Sequence, residues 1–178
     1  MPRIDLASAP TRDGTGYPPP YDEPCRARRR VKLGDAAGLT QFGVNLLHLE
    51  PGTWSSQRHW HTAEDEFVYV LEGEVALVDD AGETLLRAGD CAGFKAGDPN
   101  GHHLINRSWG NALFLAVGPN NPADRATYPD IDLMYDGSTN SYTRKDGTPY
   151  PKRDANAAPA VQPPLEEHTL NPRVYRHD

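Results

Sequence analysis

Residues 66–88 read EFVYVLEGEVALVDDAGETLLRA, and this stretch decides the fold. Three short runs of β-branched, aromatic and aliphatic side chains, EFVYVL, EVALVD and ETLLRA, are parted by Gly73 and by Asp79-Asp80-Ala81-Gly82. Runs of this length bounded by turn-forming residues read as strands. The same punctuation continues on both sides. RVKL, FGVNLLHL, HHLIN and ALFLAVG are further apolar or alternating runs, and Pro51-Gly52, Gly89-Asp90, Gly97, Gly101 and Gly110-Asn111 are further turns. Their spacing of roughly 8–12 residues is that of a β-sandwich or barrel. No stretch sustains the i, i+3, i+4, i+7 pattern of a helix for long. The predicted fold class is all-β.

Proline marks the limits of this unit. Of 17 prolines, 15 fall before residue 25 or after residue 118, and only Pro51 and Pro99 lie between. Proline cannot donate to a ladder and is kept out of central strands. Residues 25–118 therefore read as the barrel and residues 1–24 as an N-terminal arm. Residues 119–153 read as a C-terminal extension packed on the barrel, carrying Tyr128, Tyr135 and Tyr142 as anchors, and residues 154–178 as a loose tail poor in core-forming side chains.

In the 178-residue chain, 25 acidic against 18 basic side chains leave a formal charge of −7. Nucleic acids and anionic membranes are polyanions that select for clustered Lys and Arg, so neither is an expected partner. Only Arg26 to Lys32 is locally basic, and it reads as a solvated, charged edge strand that discourages edge-to-edge pairing. Cys25 and Cys91 form no disulfide framework and read as thiols. The opening MPRIDLASAPTRDG has no apolar h-region, and no window approaches the roughly 18 apolar residues of a membrane span. A cytoplasmic location is the expectation.

The functional signal is histidine. His59 and His61 stand at i, i+2, which on a strand places both imidazoles on one face about 6.7 Å apart along the chain. Glu66 opens the strand EFVYVL five residues later, and the pair His102-His103 opens another. Three imidazoles and one carboxylate make a borderline N/O donor set of the kind that takes Zn, Fe, Ni, Cu or Mn. Periodicity alone does not choose between His102 and His103.

These residues resemble the two linked motifs of the cupin family. The first is Gly52, His59-x-His61, Glu66 and Gly73; the second is Gly89, Lys95-Ala96-Gly97, His102 and Asn106. Lys95 stands where the family usually has proline, and the stretch from Gly97 to His102 is two residues longer than the common form. The resemblance, over about residues 40–118, implies a small double-stranded β-helix, that is, a jelly-roll barrel. It also implies one divalent metal ion per chain (Fe, Mn, Zn or Ni) held by His59, His61, Glu66 and His102, the spacing to Asn106 selecting His102. A homodimer that covers the sheet edges is expected from the same source.

Strand parity completes the expected pocket. Gln57 shares the face of His59 and His61; Val68 and Val70 share that of Glu66; Leu104 and Asn106 share that of His102. Asn106 could then orient a ring from behind. The expected function is a mononuclear metal-dependent enzyme acting on a small organic molecule inside the barrel. Family frequency tips the reaction toward oxygenase-type chemistry, with a metal-dependent isomerase or lyase, or a non-catalytic sugar- or metabolite-binding module, as the alternatives.

Overall fold

The computed structural model describes residues 3–151, so the tail assigned to 154–178 lies outside the described residues. The strands in chain order are β1 (Thr11–Asp13), β2 (Arg29–Lys32), β3 (Phe42–Leu49), β4 (Trp60–His61), β5 (Glu66–Glu72), β6 (Glu74–Asp79), β7 (Gly82–Arg87), β8 (Cys91–Phe94), β9 (His103–Ile105), β10 (Ala112–Pro119), β11 (Arg125–Tyr128), β12 (Leu133–Asp136) and β13 (Ser141–Thr143). A single α-helical turn, α1 (Leu33–Ala36), precedes β3. Among the described residues no helix is long and apolar enough to cross a membrane.

Two antiparallel sheets close on one another. The larger runs β1-β2-β3-β10-β5-β8 and the smaller β7-β6-β9. The alternation read in EFVYVL sorts the side chains: Val68 and Val70 are buried, whereas Phe67 is exposed and Tyr69 half-buried. Leu47, Leu49, Val70, Val75, Leu104 and Phe114 interlock as the main core. Burying each such side chain contributes roughly 1.5–3 kcal/mol, which is what makes the barrel a rigid support for its mouth.

A third sheet, β13-β12-β11-β4, is made mostly from the extension. Its strands do not lie on the outer wall. β11 pairs with β4, the strand that carries His61, and Tyr128 and Leu133 pack with Tyr17 and Cys25 in a second core. The extension is thus built into the barrel mouth. Both cysteines are free thiols.

One sequence expectation needs correction, and one strand escaped the sequence reading. The basic run Arg26 to Lys32 is not an edge: β2 pairs with β3 on one side and with β1 on the other. Residues 11–13 of the supposed arm fold back onto it, so backbone pairing rather than charge protects this strand. β8, of sequence CAGF, carries too little β-propensity to be read locally; it is a strand because β5 supplies the whole ladder.

Candidate metal centre

The two histidine segments meet through their backbones. His59 and His102 form an isolated bridge in which His59 N–H donates to His102 O at 3.1 Å and His102 N–H donates to His59 O at 2.8 Å. This sets their rings 5.2 Å apart. His61, two residues on, is held in register opposite Ala126 of β11, and its ring lies 4.9 Å from that of His59. Glu66 begins β5 opposite Phe94 of β8. Phe94 in turn stacks flat on the His102 ring at 3.5 Å, and Tyr128 stacks on His59 at 5.6 Å. The imidazoles are clamped between aromatic faces.

The hydrogen bonds determine which nitrogens are available. His59 Nδ1 lies 2.8 Å from Gln57 O, and His61 Nδ1 lies 2.6 Å from Asp124 Oδ2. A carbonyl and a carboxylate only accept, so each Nδ1 carries the proton and each Nε2 presents a lone pair. Those two Nε2 atoms face one another at 3.1 Å. Two lone pairs at that distance repel unless a cation sits between them. By the same rule His102 Nε2 carries the proton that it gives to Glu66 Oε2 at 3.0 Å, so in this arrangement His102 supports the carboxylate and stands beside the donor group. Donor atoms of His59, His61 and Glu66 all lie within 4.8 Å of one another. These three residues form a group able to hold a metal ion. The protonation states agree with that chemistry, because ligating imidazole must be neutral and carboxylate ionised. Burial and the neighbouring His61 push His59 down to about 3. Burial alone would raise Glu66, but the hydrogen bond to His102 and the nearby imidazoles outweigh it and hold the carboxyl at about 2.

The other expected pocket residues divide. Val68 and Leu104 line a cavity of about 340 Å³ together with His59, His61, Glu66 and His102. Gln57, Val70 and Asn106 do not. Gln57 turns its amide away to donate to Tyr21 O at 2.7 Å, and Val70 is fully buried in the core. Asn106 leaves the His102 ring alone: its amide donates to Leu49 O and Gly110 O at 2.8 Å each, and its Oδ1 accepts from Ser108. It closes the turn after β9, which absorbs all its hydrogen-bonding capacity. His102 Nδ1 is buried and unpartnered among the described residues. His103 also borders this cavity but is not one of the grouped donors: its Nδ1 lies 2.9 Å from Ser56 O and its ring is edge-on to Trp54.

Asp124 had no signal in the sequence. It is buried, accepts from Ala63 N–H at 2.8 Å through its other oxygen, and fixes the tautomer of His61 from a position 63 residues away. Glu64 lies beside it and accepts from Asn121 N–H at 2.6 Å.

A cupin-domain family model matches residues 45–118. The crystal structure of a cupin-superfamily sugar phosphate isomerase from Silicibacter pomeroyi is 50% identical to the chain, covering 84% of it and 97% of that protein with a TM-score of 0.79. The chain belongs to the cupin superfamily. The barrel of facing antiparallel sheets is accordingly the cupin double-stranded β-helix. A candidate sugar phosphate isomerase from Acidithiobacillus ferrooxidans is 27% identical over 71% of this chain and 81% of its own, at a TM-score of 0.62. A polyketide cyclase from Streptomyces resistomycificus, 22% identical over 67% of this chain and 79% of its own, shares the fold at a TM-score of 0.53. No curated protein matches this cupin.

Proposed function

We propose that this cupin is a metal-dependent isomerase acting on a phosphorylated sugar. The observation that carries the proposal is the convergence of His59, His61, Glu66 and His102 on one cavity of about 340 Å³, within the range that encloses a small metabolite. The relative at 50% identity, a sugar phosphate isomerase, supports the substrate class. This reading takes up the isomerase alternative in place of oxygenase chemistry, which had only family frequency behind it.

A bound divalent ion would act as a Lewis acid on a substrate carbonyl or hydroxyl oxygen. The chain's own part is to hold and shield. Asp124 and Gln57 O keep the His61 and His59 rings turned toward the cavity, and Phe94 and Tyr128 exclude water from their faces. Tyr17, Tyr128 and Tyr142 line the same cavity. Burial raises all three phenols above the usual tyrosine range, so they stay protonated as hydrogen-bonding partners for sugar hydroxyls. The test is to load the full chain separately with Mn, Fe, Zn and Ni and incubate it in D₂O with a panel of aldose and ketose phosphates. Interconversion with solvent deuterium entering next to the carbonyl is expected with at least one metal. Dependence of turnover on O₂, or no interconversion with any pair, would refute the proposal.

A homodimer belongs to this reading. The outer face of the large sheet carries Tyr69, Leu115, Leu46 and Val31 in one cross-strand row, with Phe67, Val117 and Val44 in the next. Such a face suits packing against its own copy, as in sheet-on-sheet cores. Light scattering should report twice the chain mass for the wild type and a single chain for Leu115→Glu. A monomeric wild type at tens of micromolar, taken as roughly where an obligate dimer persists, would remove the dimer.

A further inference from the structure

The basic run after residue 25 splits once folded. Arg26 pairs with Asp22 at 3.1 Å, Arg29 with Asp13 at 2.6 Å and Lys32 with Asp35 at 2.8 Å. Arg28 and Arg30 instead line the cavity that holds the metal donors, and Arg12 joins them there. Arg12 and Arg30 are direct cross-strand partners of β1 and β2, and the same inward row continues into Leu47 of β3 and Phe114 of β10. Unlike their neighbours, none of the three arginines is ion-paired among the described residues. Arg28 donates to Gly14 O at 3.1 and 3.3 Å and to Ser55 O, contacts that fix the guanidinium without neutralising it. Arg30 Nε is buried with no partner among the described residues.

This arrangement is unfavourable as it stands. Like charges directly opposite on a ladder destabilise the pair, and a buried cation without a counter-charge carries a large desolvation penalty. Of the acidic side chains, Glu66 alone lines this cavity among the described residues, and it belongs to the metal donors; Asp35, which acts on Arg30 from nearby, makes its ion pair with Lys32 instead. We infer that Arg12, Arg28 and Arg30 form a subsite for the dianionic phosphate of a phosphate monoester, whose carbonyl-bearing end then extends toward His59, His61 and Glu66. The sugar part of that ligand rests on the isomerase reading; the phosphate part rests on the arginines.

Charge and geometry favour phosphate over a carboxylate. A guanidinium offers a planar fork of donors that matches phosphate oxygens two at a time, and three such groups leave positive charge over if the guest carries only one negative charge. Burial, then repulsion from Arg28 and Arg12, lowers Arg30 to about 10, which marks the electropositive field that an anion would relieve. Three strand spacings of roughly 4.8 Å separate β2 from β5, and side chains reaching inward from both shorten that gap toward the length of a sugar phosphate.

Calorimetric titration of the metal-loaded full chain with inorganic phosphate, and with an aldopentose 5-phosphate against the free aldopentose, tests the subsite. Arg30→Gln and the exposed Arg12→Gln should each weaken phosphate binding at least tenfold, with metal content unchanged and no fall in the melting temperature of the ligand-free protein. The free aldopentose should bind at least tenfold more weakly than its phosphate. Phosphate binding that survives both substitutions, that disappears in His61→Ala alone, or that acetate matches would overturn the subsite. If phosphate binding depends on the arginines but no sugar phosphate is interconverted, the subsite stands and the isomerase reading falls. If free and phosphorylated sugars are isomerised equally well, the isomerase stands and the subsite falls.

Discussion

Replacing His61 with Ala is expected to remove most of the metal from the purified protein, whereas His103→Ala leaves metal content near that of the wild type. His61 supplies one of the two facing Nε2 atoms at 3.1 Å, while His103 is turned to Ser56 O and Trp54. Metal that binds only the folded state at a thousand times its Kd adds about 4 kcal/mol of stability. For a domain of this size that corresponds to a rise in Tm of roughly 8–16 °C. The wild type and His103→Ala should show this rise when metal is added, and His61→Ala should lose it. Asp124→Asn gives the intermediate case. The ring of His61 remains, but without the carboxylate at 2.6 Å its tautomer is no longer imposed, and losing such a supporting contact lowers metal affinity about 10–100-fold. Elemental analysis with thermal melts in chelated and metal-supplemented buffer checks all three. Metal lost from His103→Ala but kept by His61→Ala would exclude this centre.

The parts of the site readable in the sequence are those set by local geometry. Two residues apart on a strand means one face, so the convergence of His59 and His61 follows from the HxH spacing alone. Parity also placed Val68 and Leu104 toward the cavity. It did not place Asn106, because past the last residue of β9 the chain turns and alternation ends. Asp124 and the arginine cluster were not readable for a different reason. Each depends on a distant segment: Asp124 on β11 pairing with β4, and Arg30 on residues 11–13 returning to pair with β2. A run of arginines looks like a solvated edge until something is known to cover that edge. The extension shows the same limit, since its tyrosines could be read as anchors but not as the wall of a cavity shared with the metal donors.

Gly73→Ala is expected to destabilise the protein by at least about 3 kcal/mol, and Gly52→Ala by only about 1 kcal/mol. In the sequence the two are equivalent, each a glycine bounding the first histidine motif, and in the structure both have positive φ, +70° and +80°. An alanine in that left-handed region costs roughly 1 kcal/mol in either place. Their surroundings differ. A Cβ at Gly52 would meet nothing within 4 Å, but one at Gly73 would stand 2.4 Å from Asn111 O and 3.1 Å from Ala112 Cα. Both obstacles are backbone, so no rotamer change relieves them. The link between β5 and β6 would have to move away from the start of β10, and Leu113 opposite Glu72 lies on the ladder that would open. The strain would also be felt at the site, since Glu66 begins the strand that Gly73 ends. Gly73→Ala should therefore lower Tm by roughly 6–12 °C and Gly52→Ala by roughly 2–4 °C. Equal shifts for the two would mean that φ alone, and not the approach of residue 111, requires glycine at position 73.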